Sequence, residues 1–307
     1  MKQLTIISGK GGTGKTTITA AFASLAKNAV LADCDVDAAD LHLILKPKIQ
    51  RTKAFCGLEL AKIDKKLCLE CGKCKKHCRF GAIIEESGTF RLEPYNCEGC
   101  AVCTLVCPEG AISMQERVSG QVFSSETRFG PMAHAKLGIG EEASGKLVSE
   151  VREKAKRLAE KNGKDLILVD GPPGTGCPVI SAITGTDLVL VISEPTLSGI
   201  HDLKRVLELA KHFRIPAAVC LNKYDINREN AELIENFCKS ANIPVLGKLP
   251  YDDEATEAML REKSVIEYAK TGILAQKLNS VWEALLPLLE VCSEKEIPER
   301  KLNMKQF

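Results

Sequence analysis

The sequence predicts an α/β fold: a doubly wound, mostly parallel sheet carrying a small cysteine-rich insert. Three observations predict it. Short β-branched runs alternate with helical patterns, a glycine-rich loop joins the first strand to the first helix, and a repeat of cysteines interrupts the alternation. With 307 residues and 45% hydrophobic content, the chain can bury a sizeable core as one large domain or two smaller ones.

The elements follow in order. Residues 3–8 are a β-branched run that ends in the glycine loop, after which Ile18, Phe22 and Leu25 recur at helical spacing. Residues 29–32 read as a second strand, followed by the acidic stretch Asp33-Cys34-Asp35-Val36-Asp37. Further strands read at 166–169, 188–192, 217–221 and 245–249, separated by helical patterns at 146–161, 200–213, 228–240 and 273–291. Between 51 and 118 the alternation stops and Cys, Gly, Lys and Glu dominate. The reading is therefore a discontinuous α/β domain over 1–52 and 119–292, an inserted domain over 53–118, and a polar tail over 293–307. Residues 119–143, with Gly120, Gly130-Pro131, Gly138 and Gly140, read as a turn-rich return segment.

Composition narrows the function. The 42 Lys and Arg nearly cancel the 40 Asp and Glu, to a net of +2, which argues against a general nucleic-acid binder. Aromatic residues are 5% of the chain, too few for a stacking platform. The N-terminus lacks an apolar signal region and no run approaches a membrane span, so the expectation is a cytoplasmic protein without stable membrane insertion. Fourteen cysteines in such a chain, eight of them between Cys68 and Cys107, point to metal rather than disulfides.

The insert repeats with a period of 29: Cys68, Cys71, Cys74, Cys78, Gly81, Ala82 and Ile83 recur as Cys97, Cys100, Cys103, Cys107, Gly110, Ala111 and Ile112. Each half reads C-x2-C-x2-C-x3-C. Zinc would use separated C-x2-C pairs, and three successive x2-spaced cysteines fit it poorly. The run resembles that of bacterial two-cluster ferredoxins, whose fourth cysteine ligates the other cluster. The resemblance implies one 4Fe–4S cluster on Cys68, Cys71, Cys74 and Cys107 and another on Cys97, Cys100, Cys103 and Cys78. Arg79 stands where the pattern has proline; Pro108 keeps it in the second half. Residues 62–83 carry seven Lys or Arg against two acids, while 93–116 carry four acids and no base. Positive surroundings favour the added electron, so the Cys68 cluster is expected to be the easier to reduce.

Gly9-Lys10-Gly11-Gly12-Thr13-Gly14-Lys15-Thr16 matches G-x4-G-K-[ST]. The glycines let backbone N–H groups close on phosphate oxygens, Lys15 supplies a charge, and Thr16, followed by Thr17, offers a hydroxyl to Mg²⁺. With Lys10, the loop resembles the deviant Walker A of the superfamily of MinD, ParA and the nitrogenase Fe protein. The resemblance implies ATP with Mg²⁺ and a homodimer, or a heterodimer with a related ATPase, in which Lys10 reaches the partner's nucleotide. It places Asp35 at the water-positioning aspartate, ahead of Asp37 and Asp40, and Asp170 at the Mg²⁺ carboxylate. It makes 172–174 switch II, with the Gly174 amide free to sense the γ-phosphate. Asn222-Lys223-Tyr224-Asp225 reads literally as the guanine motif N-K-x-D, but at this place in the superfamily the Asn reads adenine, and Pro250 and Asp252 lie in a loop closing over the base.

The whole pattern is similar to MinD-superfamily P-loop ATPases containing an inserted ferredoxin domain, which implies a P-loop NTPase fold with a bacterial-ferredoxin-like insert. It also implies an ATPase coupling dimer switching to electron transfer with an unknown redox partner. The alternatives are an iron–sulfur assembly or transfer ATPase, and a MinD- or ParA-like positioning ATPase. Cys177 lies seven residues after Asp170, the offset of a cluster cysteine in the Fe protein. It is read either as a ligand of a bridging cluster or, preferably, as a buried structural thiol. Cys34, Cys56, Cys220, Cys238 and Cys292 are read as core thiols, and His201 as a cap or core residue.

Overall fold

The computed structural model describes residues 1–138, 141 and 145–291. The strands are β1 (Lys2–Ser8), β2 (Ala29–Asp33), β3 (Lys48–Ile63), β4 (Ile83–Glu86), β5 (Thr89–Leu92), β6 (Ile112–Thr127), β7 (Gly130–Leu137), β8 (Leu166–Pro173), β9 (Leu188–Ser193), β10 (Ala217–Asn222) and β11 (Val245–Leu249). Nine of them form one sheet in the order β11-β10-β9-β1-β8-β2-β7-β6-β3. The seven from β11 to β7 are parallel, and β6 and β3 add an antiparallel edge.

The central strands are apolar on both faces because both faces are covered. In β1, Leu4 and Ile6 face the helices Lys15–Leu25 and Ile273–Val291, where the Phe22 and Trp282 rings meet at 5.2 Å. Ile7 faces the other way, onto Val206 and Leu207 of the helix Leu197–His212. The helix Gly145–Asn162 covers β2 and β8 through Val148, Val151 and Ala155. No helix among the described residues is long and apolar enough to cross a membrane. Cys292 and the tail 293–307 lie outside the described residues.

The return segment differs from the sequence reading. Residues 112–137 form two long strands rather than turns: β6 pairs antiparallel with β7, and β7 joins the parallel sheet beside β2. Gly130 sits at the hairpin (Thr127 to Gly130), Pro131 and Gly120 lie inside the ladder, where Gly120 packs too closely on the Lys136 carbonyl to carry a side chain, Gly138 follows the end of β7, and Gly140 lies outside the described residues.

β3 and β6, sixteen residues each, leave the main sheet together as one ribbon, at whose far end stands the cysteine-rich segment. That segment has its own two-stranded sheet, β4-β5, and a small core of Ala61, Cys74, Ile83, Phe90 and Ile112. The sequence repeat is a backbone repeat. Left-handed residues occur at Glu70 and Gly99, Gly72 and Ala101, and Gly81 and Gly110, and the short helices Lys73–His77 and Val102–Val106 share the same offset.

Candidate functional site

The nucleotide-type loop starts where β1 ends and feeds the helix Lys15–Leu25. Gly12 (φ 76°) and Gly14 (φ 90°) take left-handed conformations that turn the backbone inward. A side chain on Gly14 would strike the amide of Asn222 at 2.3 Å. That amide, at the end of β10, donates to the Thr13 carbonyl at 2.8 Å, and Lys223 Nζ donates to the Gly12 carbonyl at 3.0 Å. Gly9 packs on Asp202, where a Cβ would come within 2.3 Å, and Gly11 has open space around it.

Three strand-end carboxylates surround Lys15. Its Nζ lies 2.9 Å from Asp35 Oδ2 and 3.5 Å from Asp170 Oδ1, all nearly buried. Asp33 is fully buried beside them. Burial would lower the Lys15 pKa, but Asp170 and Asp35 outweigh it and hold the ammonium above its ordinary value. Burial pushes Asp33 well up, with the Asp170 charge adding to it, and raises Asp35 against the pull of Lys15. Thr19 Oγ1 donates to Asp170 Oδ1 at 2.9 Å. Thr13 Oγ1, Asp33 Oδ2 and Asp170 Oδ2 are buried without a hydrogen-bond partner. One lysine among three carboxylates leaves excess negative charge, and unpaired acceptors together with a donor suit a hydrated cation and a phosphate.

Lys10 is held within its own chain: its Nζ lies 2.6 Å from Glu194 Oε1, 3.2 Å from Thr196 Oγ1 and 3.1 Å from Ser198 Oγ. Glu194 also reaches Lys223 at 3.6 Å. The Gly174 amide is not free here, because it donates to the Ser8 carbonyl at 2.9 Å and ties residues 172–174 to the end of β1. Beside the loop, Gly12, Gly14, Thr17, Asn222, Lys223, Pro250 and Asp252 line a single cavity of about 870 Å³, counting its open mouth; Ile18 and Leu278 give it an apolar floor. Asp225 accepts from the Tyr251 amide at 2.8 Å, holding the 250–252 loop in place. Thr16 is half-buried at the start of the helix.

In the cysteine-rich segment, Cys68, Cys71, Cys74 and Cys107 line one cavity of about 360 Å³, and Cys78, Cys97, Cys100 and Cys103 line another of about 350 Å³, both counted with their open mouths. Phe90 and Ile112 wall the first; Phe80, Leu92 and Met114 wall the second. The Ala111 amide donates to Cys107 Sγ at 3.3 Å. Burial raises the pKa of Cys74, aided by the nearby Cys68, and that of Cys103, aided by Cys97. Among the described residues no three His, Cys, Asp or Glu side chains converge to hold one metal ion.

A family model described as the CobQ/CobB/MinD/ParA nucleotide binding domain matches residues 4–265. The chain belongs to that family. Within this MinD/ParA-type family it is 37% identical over 231 residues to an uncharacterized protein of Methanocaldococcus jannaschii, covering 74% of this chain and 80% of the relative. The fold is similar to that of the septum site-determining protein MinD complexed with Mg-ADP from Pyrococcus horikoshii OT3. The TM-score is 0.56 at 19% identity, covering 96% of this chain and 99% of that one. A shorter likeness, 39% identity over 54 residues, is to the pyruvate synthase subunit PorD of Thermotoga maritima; it covers 17% of this chain and 54% of PorD.

In this MinD/ParA-type chain, Asp35 and Asp170 meet at Lys15, whereas Asp37 and Asp40 are exposed. The sequence reading missed Asp33, Thr19 and Glu194. Asp33 stood in the acidic stretch, two residues before Asp35 and so on the same side of an extended chain. Glu194 carries no motif; only the chain returning after β9 brings it to Lys10. Cys34, Cys220 and Cys238 are buried core thiols and Cys56 is half-buried, but Cys177 is exposed at the start of the helix Cys177–Ile183, not a buried structural thiol. His201 is neither cap nor core: Thr196 caps its helix, and the imidazole is exposed.

Proposed function

We propose that this MinD/ParA-type protein is an ATP-dependent iron–sulfur electron carrier, in which nucleotide-driven dimer switching alters electron transfer through two 4Fe–4S clusters. The observation that carries the reading is the pair of matched cavities, each lined by four cysteines, two adjoining halves contributing three and one. A single zinc would draw its sulfurs to about 2.3 Å from one centre. Soft thiolate donors around a wider, apolar-walled space suit a cubane, and the Ala111 amide at Cys107 is the kind of hydrogen bond that tunes a cluster sulfur. Bound clusters would supply one-electron redox chemistry.

The nucleotide half of the reading rests on charge. Lys15 must leave Asp35 to meet a phosphate, and Mg²⁺ would then compensate Asp33, Asp35 and Asp170. In this reading Thr16 and Asp170 would bind the ion or its waters, leaving Asp35 to orient the attacking water. Use of the Asp225 carboxylate on the Tyr251 amide favours adenine over guanine, because the guanine-reading acid is engaged. Lys10 acts in trans once it is released from Glu194. Its partner is a second copy or a related ATPase.

Anaerobic redox titration followed by EPR, without nucleotide, with ADP and with a non-hydrolysable ATP analogue, tests the coupling. The expected result is two clusters, the Cys68 set reduced first, with potentials or spin coupling that move in the ATP state. Identical titrations in all three states would overturn the coupling, and absence of iron from the anaerobically purified chain would overturn the cluster assignment.

A further inference from the structure

The duplication keeps the cysteines and the left-handed turns alike in both halves but makes the two outer surfaces unlike. At the offset of 29, Leu69 corresponds to Glu98, Lys73 to Val102, Lys76 to Leu105 and Phe80 to Glu109. At each of these four positions a charge in one half replaces an apolar side chain in the other. The two cavity mouths therefore face different surroundings.

The first mouth is basic and apolar together, with Glu109 its one lining acid. Lys65 and Lys66 sit in the turn that leads into Cys68, and Lys73 and Lys76 lie on the short helix that carries Cys74; all four are exposed. Among the described residues none of the four makes an ion pair, although Lys75 between them pairs with Glu85 at 2.9 Å. A merely solvated lysine face would account for the charges alone. It would not account for Leu67 at 53% and Leu69 at 67% exposure, the latter lining the cavity itself beside the exposed Cys71. Apolar contact residues ringed by unneutralised charge are the composition of a transient protein interface.

We propose that Leu67 and Leu69, with Lys65, Lys66, Lys73 and Lys76, form the docking surface for an acidic redox protein that approaches the Cys68 cavity. The inference rests on the reading that the cavities hold redox clusters. The four free cations select an acidic partner and speed its arrival. The two leucines supply the short-range contact that brings its redox centre close to the mouth at Cys71. The second mouth, with Glu98 and Val102 where the first has Leu69 and Lys73, carries an acid in place of the cation and repels the same partner. The partner is thereby directed to one of two otherwise equivalent cavities.

The test is binding of a purified acidic ferredoxin to the full-length, iron-loaded protein by isothermal titration calorimetry, with iron and sulfide counted on the same sample. Affinity is expected to fall at least about tenfold between about 0.01 and 0.15 M salt as screening sets in. The double variant Lys73→Glu with Lys76→Glu is expected to weaken binding by about tenfold or more. Glu98→Lys, at the second mouth, is expected to leave it within about twofold or to strengthen it. No binding at low salt by iron-loaded wild type, or indifference to the lysine reversals, overturns the docking surface. Greater weakening by Glu98→Lys than by the lysine reversals assigns docking to the other mouth and overturns it equally. A wild-type chain that holds no iron overturns the cluster reading instead, so the two failures are distinguishable.

Discussion

The nucleotide site and the cysteine-rich segment are built on opposite plans. At the glycine loop the chemical groups are buried and paired with one another before any ligand arrives. Lys15 sits between Asp35 and Asp170 at the ends of strands packed on both faces. In the cysteine-rich segment the chemical groups ring two cavities, above a core of only five buried side chains. The first region is shaped by its fold and awaits a ligand in order to react. The second has little apolar surface of its own, and on the proposed reading a bound cluster would add to its stability. The ribbon of β3 and β6 joins them, so the contrast can be tested within one chain.

The largest expected effect separates the two regions. Removal of iron by an anaerobic chelator should expose residues 64–111 to protease while leaving the nucleotide domain intact. Limited proteolysis with nucleotide binding measured in parallel checks this. Cys74→Ser should have the stronger effect of any single ligand change, because Cys74 is both a cavity residue and part of the small core. It should lose about half of the iron, as expected for one of two four-iron clusters. Equal protease resistance with and without iron would break the comparison.

The complementary change acts on the paired charges. Lys15→Ala leaves Asp33, Asp35 and Asp170 without their cation, which should destabilise the nucleotide-free protein by about 3–5 kcal/mol in denaturant unfolding. Mg²⁺ should restore part of that loss, because it answers the same excess of negative charge. ATP hydrolysis should fall by about 10²–10³-fold from loss of the charge near the transferring phosphate. A variant as stable as the parent would show that the carboxylates do not depend on Lys15.

What the sequence made legible follows the same division. The loop, the strand-end Asp35 and Asp170 and the cysteine repeat were readable because each is a local spacing with its own chemistry. The 112–137 strands were not, because Gly120, Gly130 and Pro131 are turn residues by local preference, and only pairing with β3 and β2 makes them ladder positions. Asp33 lay in plain view, but its role depends on β8 bringing Asp170 beside it. Glu194 could be linked to Lys10 only through the fold, since 184 residues separate them along the chain.

The main sheet at the base of the ribbon carries a pH-sensitive pair across β6 and β7. His134 of β7 is buried, bonded to Ser125 Oγ at 2.8 Å and stacked on Phe123, and burial lowers its pKa to about 4. A depressed histidine contributes stability that is present above its ordinary value of 6.5 and lost as pH falls towards about 4. Asp33 and Asp35, with raised values, act oppositely: the ligand-free fold loses stability as pH rises above the ordinary carboxylate range through their folded values. Comparing wild type with His134→Gln cancels the carboxylate contribution. The difference should approach about 3 kcal/mol between neutral pH and about pH 4. A constant difference across that range would show that His134 is protonated in the fold.

The smallest effects distinguish shape from conformation inside the cysteine-rich segment. Gly99 and Gly88 both have positive φ, 65° and 81°, so alanine is strained at either by about 1 kcal/mol. Only Gly99 is also crowded: a Cβ there would lie 2.7 Å from the Glu59 carbonyl of β3, whereas Gly88 has open space. Because that contact seats the Cys97–Cys100 loop on the ribbon, Gly99→Ala must push the loop away or distort it. Gly88→Ala should therefore cost about 1 kcal/mol with iron content unchanged, and Gly99→Ala about 1–2 kcal/mol more, together with loss of iron from the second cavity. Thermal unfolding with iron analysis on both variants reads the difference. Equal behaviour would mean that the ribbon carries the segment without shaping its cavities, and the stability of the second region would then come from its ligands alone.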